Sequence, residues 1–168
     1  MLGWFGLSDE AAPGEADRLL ADLAQAMARE GLRVAGAVQQ NTDLGADCAC
    51  DMDLVILGEE DQPIRISQSL GNGSTGCRLD AGALEIAAAR VSARLDGADI
   101  LILPKFGRQE AVGRGFISTI TDAMSRDLPL LLHVPRQQRD AFAEFCGDLG
   151  QYLEPGELAH WCRMRATP

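Results

Sequence analysis

The sequence has no apolar run approaching the thickness of a bilayer, which excludes a membrane-spanning helix as its organising feature. Basic residues are in the minority, with 15 Lys and Arg against 25 Asp and Glu, a formal charge of −10. Such a surface repels polyanions, so nucleic acid and anionic lipid are excluded as expected partners. The N-terminal stretch MLGWFGLSDEA lacks a basic n-region and meets acid within its first ten positions, so it does not read as a signal peptide, and the expected location is the cytoplasm. The five cysteines, Cys48, Cys50, Cys77, Cys146 and Cys162, are odd in number. With no secretion signal they read as thiols rather than as a disulfide framework. The chain also lacks any GKS or GKT triplet and any G-x-S-x-G elbow, so neither a standard phosphate-binding loop nor an α/β-hydrolase nucleophile is written into it.

What is present is an alternation of strands and helices. At 168 residues, with 46% hydrophobic and 24% charged side chains, the chain is long enough to bury one core, and residues 1–168 are expected to form a single domain. Leu2 to Phe5 is a short apolar piece. Leu19, Leu20, Leu23, Ala24 and Met27 recur at helical spacing and predict a helix from about Gly14 to Glu30, stopped by Gly31. RVAGAVQ, Arg33 to Gln39, reads as a buried strand. The helix between two strands predicts a right-handed βαβ unit in a parallel sheet.

Met52 to Leu57 and Pro63 to Ser67 flank the acidic turn GEED and predict a hairpin. A Gly/Ser/Asn-rich loop follows, then a helix marked by Leu84, Ala87, Ala88, Val91 and Leu95. DILILP, Asp99 to Pro104, is the strongest buried strand. A helix from Gly115 to Arg126, a strand LPLLLHV, a helix from Gln137 to Leu149 and a terminal helical turn from Pro155 complete the series. The expected class is α/β: three layers, a mostly parallel sheet with helices on both faces and an inserted β-hairpin.

Several stretches carry a family resemblance. The first helix followed by LRVAGAV, the GCRLD stretch at Gly76 to Asp80, and LILPKFGRQE at Leu101 to Glu110 resemble the small P-loop nucleoside-triphosphatase family. CDMDL at Cys50 to Leu54, RISQSLG at Arg65 to Gly71, GCRLD and KFGRQE are similar to a bacterial domain-of-unknown-function family, sometimes labelled as associated with molybdate transport. The resemblance implies a P-loop fold. It also exposes departures from working chemistry. The loop GLSDEAAPGEADRLL places Asp9, Glu10, Glu15 and Asp17 where the phosphate loop has its lysine. Each carboxylate within about 5 Å of a phosphate opposes it by roughly 3 kcal/mol at an effective dielectric of about 20. The favoured reading of the same acids is as caps that complement the helix dipole. The family's magnesium-holding acid pair aligns with Pro104 and Lys105, neither of which accepts a metal. Glu110, at the place of the family's later glutamate, has two readings: a group that polarises water, or a helix N-terminal acid.

Ligands in open α/β sheets bind at the carboxyl ends of the strands. That rule nominates Lys105, Gln39, Gln40, Ser67, Gln68, Gly76, Arg78 and Arg108 as binding residues, with Arg65 as a further cation, for a small oxyanion such as phosphate, sulfate or molybdate, or for a nucleotide. Lys105, Arg65, Arg78 and Arg108 are more often solvated surface charges, which is the competing reading. Cys48, Cys50 and Cys77 offer three soft ligands for a thiophilic metal, against the alternative of incidental thiols. His133, ending an apolar strand, reads as a buried imidazole, and His160 beside Trp161 as a packed terminal residue. The functional expectation is a non-hydrolytic accessory protein that binds a small ligand or oxyanion, with a link to molybdenum or metal-cofactor supply. The alternatives are a nucleotide hydrolase or transferase with a rearranged site using Lys105 and Glu110, and a thiol metal-binding protein through Cys48, Cys50 and Cys77; a protein partner is a further expectation, and no cofactor is assigned.

Overall fold

The computed structural model describes residues 1–42, 51–68 and 79–166. The elements that place the site are seven strands and six helices. The strands are β1 (Leu2–Phe5), β2 (Val34–Thr42), β3 (Asp51–Ile56), β4 (Ile64–Arg65), β5 (Ile100–Leu103), β6 (Leu130–His133) and β7 (Gly150–Tyr152). The helices are α1 (Glu15–Arg29), α2 (Ala81–Ser92), α3 (Arg108–Ala111), α4 (Ile117–Ser125), α5 (Arg139–Cys146) and α6 (Leu158–Arg165). They build one sheet in the order β4-β3-β2-β5-β6-β1-β7.

The five strands from β2 to β7 along this order run parallel, β3 adds antiparallel to the β2 edge, and β4 pairs antiparallel with β3. β1 and β2, joined through α1, lie in the same parallel sheet but with β5 and β6 between them. The predicted βαβ unit is therefore a long crossover rather than a pair of neighbours. The hairpin over 52–67 is present as β3 and β4. β2 is longer than its apolar run suggests: its first third pairs with β5 through Val34, Ala35 and Gly36. The rest, Ala37 to Thr42, pairs with β3. The polar tail of β2 is held by ladder bonds, which side-chain hydropathy does not report.

The hydrophobic pattern explains the layering. Strand residues of a sheet covered on both faces are apolar without alternation, and Ile100, Leu101, Ile102 and Leu103 are all fully buried. Alternate residues feed two separate cores. Leu101, Leu103, Leu130 and Leu132 pack under α2, α4 and α5, whereas Ile100, Ile102 and Leu131 pack under α1 and α6. Leu20, Leu23, Ala24 and Met27 form the buried stripe of α1. Trp161 of α6 is buried in the same layer, while His160 faces outward as an exposed residue. The terminal segment thus packs through Trp161, not His160.

One glycine is dictated by strand approach. Gly36 has φ of 134°, and a Cβ there would lie 1.8 Å from the carbonyl oxygen of Ile102. Next to it, Asp99 anchors the start of β5 by accepting from the Arg33 backbone N–H at 2.7 Å and from its guanidinium at 2.8 Å. Those bonds hold the buried Asp99 carboxyl below the usual carboxylate range.

Candidate functional site

The carboxyl ends of β1, β5 and β6 meet the loop that leads into α1. Between them lies a cleft of about 360 Å³ bordered by the loop from Leu7 to Asp17, Lys105, His133 and Arg136. Lys105, the chain's single lysine, follows β5 after Pro104. The adjacent Phe106 N–H donates to the His133 carbonyl at 2.9 Å, tying this turn to the end of β6.

Three amides of the loop are bonded within it. The Ala11 N–H donates to the Ser8 carbonyl at 3.1 Å, the Glu15 N–H to the Ala12 carbonyl at 3.0 Å, and the Ala12 N–H to the Glu15 carboxylate at 2.8 Å. These three amides are committed to the chain itself, one of them to a carboxylate, and are not turned outward as donors to an anion. Gly14 caps α1 in the left-handed conformation, with φ of 72°, and no side chain caps the helix from that position. Glu15 and Asp17 occupy the first turn, where their charge complements the dipole. Asp9 is ion-paired with Arg136 across the cleft.

Asp17 is the acid that sequence spacing did not single out from its neighbours. Burial raises its pKa above the ordinary value, against the opposing pull of Lys105, of the Asn41 amide that donates to it at 2.9 Å, and of Arg18. His133 is more strongly perturbed. Burial, Lys105 and Arg139 push it down from 6.5 to about 4, so the imidazole is neutral at pH 7, with its ring against Phe5 at 5.2 Å.

Lys105 also borders a second pocket of about 250 Å³, whose walls are mainly apolar. Gln39, Arg108, Gln109 and Glu110 bring its polar groups. Gln39 is 6% exposed, and its amide donates to the Asn41 side chain at 2.8 Å while its buried Oε1 has no hydrogen-bond partner among the described residues. Glu110 lies at the third position of α3 and is buried. Its two oxygens accept from the Gly107 N–H at 2.8 Å and the Phe116 N–H at 3.0 Å. Burial raises its pKa against those two bonds and the charge of Lys105. The carboxylate thus staples the start of α3 to the start of α4, the geometry expected of the helix N-terminal reading.

The remaining nominated residues separate. Gln40 is exposed on the β2 extension, along a groove of about 830 Å³ beside α1. Ser67 is buried, its hydroxyl accepting from the Met52 N–H at 3.1 Å and donating to Asp51 at 3.3 Å, and Gln68 beside it is exposed. Arg65 is committed to Asp53 at 2.5 Å and Asp51 at 2.6 Å and is not brought to the clefts. Arg108 is exposed at the rim of the smaller pocket. Gly76, Arg78, Cys48, Cys50 and Cys77 lie outside the described residues. Among the described residues no group of three His, Cys, Asp or Glu side chains is placed to hold a metal, and Cys146 and Cys162 are buried free thiols. No helix of the described residues is long and apolar enough to cross a membrane. Sequence reasoning missed Gln109, which lines the same pocket and whose buried Oε1 has no partner among the described residues; a glutamine in a four-residue helix carries no signal of that.

Three comparisons bear on this geometry. The family model described as "Protein of unknown function (DUF2478)" matches residues 8–161. The chain is 39% identical over 140 residues to a segment of the molybdenum import ATP-binding protein ModC 2 of Bradyrhizobium diazoefficiens. That match covers 82% of this chain but only 15% of the relative's length. In three dimensions the chain is similar to the crystal structure of THEP1 from the hyperthermophile Aquifex aeolicus, with a TM-score of 0.61 at 12% identity over 97% of this chain and 95% of that one. The α/β architecture is that of the P-loop nucleoside-triphosphatase fold.

Proposed function

The chain belongs to the DUF2478 family, and from that premise and the cleft geometry we propose that it is a non-hydrolytic ligand-binding module on a P-loop scaffold, taking a small oxyanion at Lys105 in the service of molybdenum supply. The observation that carries the reading is the loop before α1. Its Ala12 N–H is bonded to the Glu15 carboxylate, so the chain already supplies an anion at the position where a phosphate would bind. Asp17 adds to the charge there, whereas Asp9 is balanced by Arg136. A triphosphate entering the cleft meets these carboxylates at roughly 3 kcal/mol each, if they stand within about 5 Å.

A compact oxyanion needs less. Lys105 has no ion-pair partner among the described residues, and its ammonium supplies three donors at the seam of two clefts. The elevated pKa of Asp17 favours its neutral form as pH falls, and so lowers the repulsion an anion meets. The role in molybdenum supply rests on the likeness to the segment of the molybdenum import ATP-binding protein. It names molybdate as the first ligand to test, with phosphate and sulfate as competitors. Hydrolysis through Glu110 is disfavoured because both its oxygens are committed to backbone N–H groups.

The test is a thermal-shift and calorimetry panel with molybdate, sulfate, phosphate, MgATP and MgGTP. A ligand at 100 times its dissociation constant adds about 2.7 kcal/mol, or roughly 5 to 10 °C for a domain of this size. The expected result is a shift with an oxyanion that Lys105→Gln removes. Phosphate release from MgATP or MgGTP, abolished by Glu110→Ala in a variant that still folds, would refute the reading.

A further inference from the structure

Two permanently cationic side chains border the larger cleft, Lys105 and Arg136. Lys105 has no ion-pair partner among the described residues. Arg136 has one, Asp9, which comes from the loop before α1, 127 residues away in sequence. The pair thus ties that loop to the turn after β6. Its side chains are 66% and 68% exposed. Arg139 stands close enough for its charge to act on His133, but it is turned to the Leu7 carbonyl at 3.5 Å and does not border the cleft.

An aspartate carboxylate is the chain's own oxyanion. A guanidinium grips a carboxylate and a tetrahedral oxyanion through the same fork of N–H donors, which the point charge of an ammonium does not reproduce. One can therefore replace the other. The exchange is inexpensive here, because an ion pair this exposed is worth at most about fivefold in an equilibrium constant. The rest of the cleft offers an anion little. The His133 imidazole is neutral at pH 7, and the Ala11, Ala12 and Glu15 amides are bonded within the loop. Lys105 alone, set against the carboxylates of Glu15 and Asp17, leaves an entering dianion without a surplus of positive charge. Arg136 is the bordering group that supplies it.

We propose that Arg136 is the second cation of the oxyanion site and that Asp9 is its resident stand-in, which a tetrahedral oxyanion displaces as it binds between Arg136 and Lys105. The proposal rests on the oxyanion reading of Lys105 and adds to it a binding residue, a two-point grip and an exchange. The displaced carboxylate is already exposed, so its release to water is cheap. The class of ligand is a tetrahedral dianion that sets two oxygens into the guanidinium fork, which molybdate, sulfate and hydrogen phosphate all do.

The experiment titrates the full chain with sulfate and with molybdate by calorimetry at pH 7 and low ionic strength, where screening is weakest. Asp9→Asn leaves Arg136 unclaimed and is expected to tighten binding about three- to fivefold. Arg136→Lys keeps the charge but loses the fork, and is expected to weaken binding about fivefold. In an Arg136→Gln background no pair remains to be broken, so the gain from Asp9→Asn is expected to shrink below about twofold. Two results overturn the proposal while leaving Lys105 as the oxyanion site: Arg136→Lys binding as the wild type does, or a gain from Asp9→Asn undiminished by Arg136→Gln. Either reduces the pair to a distant charge. Where Arg136→Gln binds too weakly to measure, Arg136→Lys against the wild type decides. Binding of neither anion to the wild type or to Asp9→Asn overturns both the oxyanion reading and this proposal.

Discussion

Replacing His133 by Phe should remove a pH-dependent part of the stability while leaving the packing of β6 in place. The imidazole is the last residue of β6, and its ring is tilted by 40° against Phe5 at 5.2 Å. Phenylalanine keeps that ring contact and has no proton to take up. In the unfolded chain the imidazole titrates near 6.5, whereas in the fold its pKa is pushed down to about 4 by burial, Lys105 and Arg139. Between those values the unfolded chain binds more protons than the folded one. The stability conferred by neutral His133 is therefore complete above about pH 6.5 and is lost as pH falls towards about 4. At 1.36 kcal/mol per pH unit the upper bound is about 3 kcal/mol. Because the residue is only half-buried at the cleft, about 1 to 2 kcal/mol is expected. Asp17 and Glu110 act with the opposite sign: their folded pKa values are raised, so they favour the fold as acid is added. Subtracting variant from wild type cancels them. Urea unfolding followed by tryptophan fluorescence, from about pH 8 down to about pH 4.5, reads the difference. A stability gap between wild type and His133→Phe that stays constant over this range would refute the buried, neutral imidazole.

Four further outcomes follow from the same geometry. Glu110→Gln turns an amide donor towards either Gly107 N–H or Phe116 N–H, and should cost about 1 to 3 kcal/mol in urea denaturation; a loss of function without loss of stability would instead favour a chemical role. Gly36→Ala places a methyl against the Ile102 carbonyl at a φ of 134°, and should lower stability by at least about 2 kcal/mol, measured as a fall in Tm of several degrees. Asp17→Asn removes a carboxylate that interacts with Lys105, and should tighten molybdate binding roughly tenfold at pH 7, an advantage that fades as pH falls and wild-type Asp17 takes up its proton. Asp99→Ala leaves the Arg33 N–H unpaired and should cost about 1 to 3 kcal/mol. The Asp99 contribution in the wild type is present above its unfolded pKa and lost as pH falls through the lower folded one.

Much of this molecule was legible in its sequence because the signals are local. The uninterrupted apolar run Ile100–Leu103, the helical spacing from Leu20 to Met27 and the turn between β3 and β4 each report a period or a run, and those follow from the geometry of the element itself. The absence of a phosphate-loop lysine and the presence of Pro104 and Lys105 were equally plain. Strand order was not. That β5 and β6 separate β1 from β2, and that the polar end of β2 joins β3, depends on which backbone edges meet, and side-chain pattern is silent on that. The site divides the same way. Sequence nominated Lys105, Gln39 and Glu110 by position, but only the tertiary structure decided that Lys105 borders two clefts, that Glu110 spends both oxygens on backbone amides, and that Gln39 and Gln109 line one pocket. Residue type sets which hydrogen bonds and charges a side chain can offer. Desolvation and the partners brought from distant parts of the chain decide which of them remain free for a ligand.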